Sequence, residues 1–111
     1  MLTVLNGKTV GFVGADKIYI GRKGYGLNGS VLANKFVIGK DGSREDVIEK
    51  YRQWLWIEWN KKGAVYDELV RIAKLVKEEE NVELICWCKP LDCHGDIVKS
   101  CIEWMIREEI V

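Results

Sequence analysis

The sequence has no excess charge of either sign: Lys plus Arg number 17 and Asp plus Glu number 17. Dedicated binders of duplex nucleic acid normally carry a basic surplus, so duplex nucleic acid is not the expected partner. It has no apolar run near the roughly 20 residues of a membrane span. Its start, Met1-Leu-Thr-Val-Leu5 followed by Asn6-Gly7, lacks the basic opening and long apolar stretch of a signal peptide. A cytoplasmic protein without a membrane partner is the expectation. There is one proline, Pro90, and one histidine, His94. Any mechanism that needs an imidazole must therefore use His94. No internal repeat, low-complexity tract or linker interrupts the chain. With 111 residues, 48% hydrophobic and 31% charged, it reads as one globular domain over 1–111.

The pattern predicts seven elements. Leu2–Leu5 and Thr9–Val13 flank Asn6-Gly7, a strong short-range hairpin signal. Lys17–Ile20 reads as a buried strand, and the glycine-rich stretch 21–30 as a loop. Leu32–Ile38 is an extended or short-strand segment. Asp41-Gly42 is a turn, and Ser43 with Asp46 forms a near capping box ahead of a helix over 44–61. A second helix follows Gly63, with Val65, Leu69, Ile72, Ala73 and Val76 on one stripe and Lys77-Glu-Glu-Glu80 as its tail. Val82–Cys86 is a strand, and a last helix begins near Cys93. Two helices between strands 17–20 and 82–86 are long enough for a parallel crossover. Both runs are nearly continuous in apolar residues, as strands covered on both faces are. The expected fold is a single small α/β domain, three-layered and Rossmann-like, with a central, mainly parallel sheet and an N-terminal β-hairpin.

In such sheets ligands bind at the carboxyl ends of the strands. Those ends are Ile20-Gly21-Arg22 and Cys86-Trp87-Cys88, the two most unusual segments of the sequence. Arg22 can grip a phosphate or carboxylate with two hydrogen bonds, and Gly21 allows close backbone approach. The glycines match neither the dinucleotide nor the P-loop fingerprint. Asn34 sits in an apolar segment and needs a partner or a ligand.

The second segment is Cys86-Trp-Cys-Lys-Pro-Leu-Asp-Cys-His-Gly-Asp96. A helix start has free N–H groups that favour an anion or a thiolate, so Cys93 can act as a nucleophile there. His94 and Asp96 are the competing proton carriers, and Gly95 would offer backbone N–H groups to a phosphate. The bland alternative makes Cys93 a small loop residue and Asp96 a helix cap. Cys86, Cys88, Cys93 and His94 could instead hold zinc, although their spacing departs from the usual knuckle. A Cys88–Cys93 disulfide is a third option. All four cysteines, Cys101 included, fall in the last quarter of the chain, which is not how a disulfide framework spreads. Of the five tryptophans, Trp54 reads as core, while Trp56 and Trp59 are candidates for a homo-oligomer contact.

Together, Tyr19-Ile-Gly-Arg22, Leu32-Ala-Asn-Lys-Phe36, Asp41-Gly-Ser-Arg-Glu45 with Tyr51, and the string from Cys86 to Asp96 resemble domain-of-unknown-function family 4326. Its members are small proteins common in phages and also found in cellular genomes. Where that family usually reads Gly-Asn-Pro-Phe, this chain has Ala33-Asn34-Lys35-Phe36. The Cys-His end of the strand-to-helix turn is also similar to uncharacterised family 488. The resemblance implies that the Arg22, Asn34 and Cys93-His94 segments share one site; it supplies no activity.

The expected function is binding of, or action on, a nucleotide or similar anionic, phosphorylated small molecule. The expected ligand contacts are Gly21, Arg22, Asn34, Cys88 and Gly95, and the catalytic candidates are Cys93, His94 and Asp96. Transfer or hydrolysis at a nucleoside is the matching chemistry. The rival expectation is a zinc-stabilised or redox-sensitive interaction module without catalysis.

Overall fold

A computed structural model describes residues 1–79 and 81–111; Glu80, in the expected helix tail, lies outside them. The elements run β1 (Leu2–Asn6), α1 (Gly7–Val10), β2 (Lys17–Tyr19), α2 (Arg44–Lys61), α3 (Ala64–Glu78), β3 (Val82–Cys86) and α4 (His94–Arg107). The three strands form an open, wholly parallel sheet in the order β1-β3-β2. Leu2 pairs with Val82 and Asn6 with Cys86 on one side of β3, while Lys17 pairs with Glu83 and Tyr19 with Ile85 on the other. Parallel pairing brings Asn6, Ile20 and Cys86 to the same edge.

The expected N-terminal hairpin does not form. Asn6 instead caps α1: its side-chain oxygen accepts the Lys8 N–H at 2.9 Å. Its amide donates to the carbonyls of Trp87 (3.2 Å) and Lys89 (2.9 Å) beyond β3. The same residue that marks a type I′ turn is thus used as a helix cap and as a tie between two strand ends. The chain after β1 folds back as a short helical turn, and Phe12 lies against Gly7, Tyr19 and Trp87.

Strand alternation divides the sheet. Leu2, Ile20, Val82 and Leu84 enter the main core with α2, α3 and α4. On the other face Ile85 is fully buried and Lys17 pairs with Glu83 at 2.7 Å. Phe12, just after α1, lies edge-on against Tyr19.

Ser43 caps α2 through a full reciprocal box with Asp46. The buried stripe of α2 is Val47, Tyr51, Leu55 and Trp59, four residues apart each time. That spacing decides the tryptophans. Trp59 is 6% exposed, packed between Tyr66 and Trp104, and is no free oligomer contact. Trp54 is half-buried against Tyr51, and Trp56 alone of the three is open to solvent. The fully buried Tyr51 donates from its hydroxyl to the Leu32 carbonyl at 2.6 Å, fixing the long connection after β2 onto α2. Tyr51→Phe strands that carbonyl in the interior and should cost about 1–3 kcal/mol. Urea unfolding should show this as a lower midpoint with an unchanged slope.

Among the described residues no helix is long and apolar enough to cross a membrane.

Candidate functional site

The carboxyl edge of the sheet opens into a cavity of about 420 Å³. The end of β2 supplies Gly21, Arg22, Lys23 and Tyr25; the connection after it supplies Asn34 and Phe36; α2 supplies Arg44, Val47 and Ile48. Cys86, Trp87 and Cys88 come from the end of β3, with Cys93 and His94 from the start of α4. The lining holds three cations, Arg22, Lys23 and Arg44, and no carboxylate among the described residues. Three aromatic side chains, Tyr25, Phe36 and Trp87, are part of the lining. Trp87 is held by a bond from its indole N–H to the Tyr19 hydroxyl at 2.8 Å and by Phe12 at 4.4 Å between ring centres. Tyr25 lies 5.3 Å from Trp87 and is 93% exposed. Lys8 sits over the Trp87 ring at 5.6 Å.

The sequence-derived residues separate into two groups. Gly21, Arg22, Asn34, Cys88, Cys93 and His94 line this one cavity; Gly95 and Asp96 do not. Arg22 also has a structural task. Its guanidinium donates to the carbonyls of Asn34 (2.7 Å) and Phe36 (3.0 Å). Asn34 is similarly engaged: its oxygen accepts the Phe36 N–H at 2.9 Å and its amide donates to the Val47 carbonyl at 3.3 Å. Both residues shape the wall that a ligand would touch. Gly21 is required by packing, since a Cβ there would run into the Tyr19 phenol.

Asp96 accepts the Cys93 N–H at 3.2 Å and pairs with the Lys89 ammonium at 2.6 Å. It therefore closes the start of α4 and neutralises Lys89, which is the capping reading of this residue. His94 is buried, its Nε2 lies 2.7 Å from the Ile20 carbonyl, and its ring meets Tyr51 edge-on at 5.0 Å. Burial holds its pKa below the usual value, outweighing the Ile20 carbonyl, and Arg22 pushes the same way. The ring is neutral at pH 7 and donates from Nε2 to Ile20. In that state it fixes the end of β2 onto α4.

Cys86 and Cys93 are hydrogen-bonded thiols, on the last residue of β3 and the residue before α4. The Cys93 thiol donating to it, then the backbone N–H groups of Lys89 and Cys88 and the Lys89 charge, lower Cys86 against its burial to about 6. Cys93 is held well above the usual thiol range, first by donating to Cys86, then by burial and by the Cys86 charge. The Gly95 N–H, at the helix start, opposes this and does not prevail. The shared proton therefore favours Cys93 as donor and the Cys86 sulfur as acceptor, the reverse of what the helix start alone would give. A helix start lowers a thiol only where no stronger partner claims the proton.

All four cysteines are free, so the Cys88–Cys93 bridge is absent from this state. Among the described residues no group of three or more His, Cys, Asp or Glu side chains is placed to hold a metal ion. The alternative zinc set of Cys86, Cys88, Cys93 and His94 is not among such groups, and His94 uses Nε2 on the Ile20 carbonyl. Sequence reasoning missed Arg44, whose guanidinium donates to the Asp92 carbonyl at 2.9 Å and joins α2 to the cysteine loop. It also missed Lys23, Tyr25 and Trp87 as lining residues. The position of Trp87 between two cysteines at a strand end was the available signal.

The fold and cavity define a class: a small α/β domain with an open parallel sheet and a strand-end pocket. Within that class the chain belongs to the family described as Domain of unknown function (DUF4326), which matches residues 6–104. No curated protein and no solved structure matches it.

Proposed function

We propose that the domain binds an anionic small molecule with a planar part, a nucleotide or a similar phosphorylated compound, in the strand-end cavity. The observation that carries this reading is the lining: three cations without a carboxylate beside three aromatic rings. Lys23 and the unused guanidinium edges of Arg22 and Arg44 would meet the charged group. Trp87, Tyr25 and Phe36 would meet the planar group, since stacking is worth about 1–3 kcal/mol per base. A cytoplasmic setting suits a pocket whose cysteines are reduced. The two thiols beside the ligand suit transfer or hydrolysis chemistry on it, with Cys86 as the nucleophile.

The test is thermal unfolding against a panel of nucleotides and nucleosides, read with intrinsic tryptophan fluorescence. A ligand at one hundred times its Kd stabilises by about 2.7 kcal/mol, which is a rise in Tm of roughly 10 °C for a domain of this size. Lys23 is exposed, so Lys23→Gln should weaken binding about tenfold and leave the unliganded Tm in place. A panel without any shift overturns the reading.

A further inference from the structure

We propose that Cys86 and Cys93 form a thiol–disulfide exchange pair at the floor of the cavity, Cys86 attacking a low-molecular-weight disulfide and Cys93 resolving the mixed disulfide. Three features of the geometry support this. The two thiols are hydrogen-bonded to each other, although six residues of loop separate them. They sit on different elements, the end of β3 and the start of α4, so a bond between them would join strand to helix. Both line the strand-end cavity while nearly fully buried, Cys86 1% and Cys93 2% exposed, so an incoming disulfide must enter the cavity to reach them. Cys88 shares the lining but offers Cys86 only its backbone N–H, and Cys101 is half-buried on α4 away from the cavity.

The chemistry balances with a disulfide such as oxidised glutathione as the electron acceptor. The Cys86 thiolate attacks one sulfur, the S–S bond breaks, and one glutathione thiolate leaves. Cys86 then carries a glutathione and no charge. This removes the Cys86 sulfur as a charged partner, the largest influence that kept Cys93 protonated; the Gly95 N–H favours its thiolate against the remaining burial and the Asp96 charge. Cys93 passes its proton to solvent and attacks the Cys86 sulfur, and the second glutathione thiolate leaves. Two protein thiols are oxidised, one disulfide is reduced to two thiols, and both leaving thiolates recover protons from solvent. Lys89, paired with Asp96 beside the loop, supplies a positive neighbour for the attacking sulfur.

The experiment treats the full chain with oxidised glutathione near neutral pH, blocks free thiols with a maleimide, and maps the peptides by mass. The expected result is a Cys86–Cys93 link, with Cys88 and Cys101 carrying maleimide. Cys93→Ser should stop at a glutathione adduct on Cys86. Cys86→Ser should form any adduct at least tenfold more slowly. A link from Cys88 to Cys93, an adduct elsewhere in Cys93→Ser, or four maleimide-labelled thiols overturns the proposal. The wild-type map decides the pairing even where a variant fails to fold. The readout is independent of nucleotide binding, so the two proposals fail separately.

Discussion

Gly95→Ala should lower stability by about 1–3 kcal/mol, the range for overpacking a filled site. In an open helical position the same change would raise it by about 1 kcal/mol, because alanine is the better helix former. The sign therefore tests the geometry. Gly95 lies in the first turn of α4, buried, against Val4 in the middle of β1 and Ile20 just after β2. A Cβ there would stand 2.6 Å from Cγ1 of Val4, 3.0 Å from Cδ1 of Ile20 and 3.2 Å from the Cys93 sulfur. Ile20 belongs to the hydrophobic core with Val4 packed against it, and Cys93 lines the cavity. Thermal or urea unfolding of the variant checks the direction. Gly95→Leu, with three more carbons to place, should lose more than about 3 kcal/mol, a large part of the stability of a domain this size. Adding Val4→Ala removes the closest contact, so the double variant should lose less than the two single changes summed. A stabilised Gly95→Ala, or strict additivity with Val4→Ala, would show that α4 does not press on the sheet as described.

This glycine also shows what the sequence makes legible. The helices over 44–61 and 64–78 follow from spacing alone, since their buried residues recur at three and four positions. The capping box at Ser43 and Asp46 is local chemistry and reads directly from the letters. The pairing of β1 is different. Asn6-Gly7 meets the local requirements of a hairpin, but the partner of β1 is β3, some 80 residues away, and only the tertiary fold decides between them. Strand-end location singled out Arg22 and the cysteine segment, and the family resemblance added Asn34 and Cys93-His94 to the same site; they line one cavity. Their roles were not legible, because those depend on which carbonyl or thiol each group faces. Arg22 and Asn34 face backbone carbonyls, and Cys93 faces Cys86. Trp59 failed for a similar reason: its side of α2 is set by α3 and α4, which fill the space around it.

Alkylation of Cys86 should rise with pH through about 6 and level off near neutrality. The sign follows from the reacting form. Only the thiolate attacks, so the rate tracks the ionised fraction, and a lowered pKa moves the rise to lower pH. An ordinary thiol would still gain about tenfold per pH unit up to its usual value of about 8.5. The rate is measured with iodoacetamide, small enough to enter the cavity, and read at Cys86 by peptide mass over pH 5–9. Cys93→Ala removes the donor that contributes most to the lowered value. The backbone N–H groups of Cys88 and Lys89 and the Lys89 ammonium stay in place, so the midpoint should move only part of the way back. Each unit of that movement lowers the rate at pH 5 about tenfold. Lys89→Met should raise the midpoint less, since its charge is the last of the lowering influences and Asp96 already offsets it. If Cys93 reacts first and Cys86 follows, the proton is on the other sulfur. The pocket floor then presents its anion at the helix start, where the α4 N–H groups rather than the β3 loop would direct the chemistry.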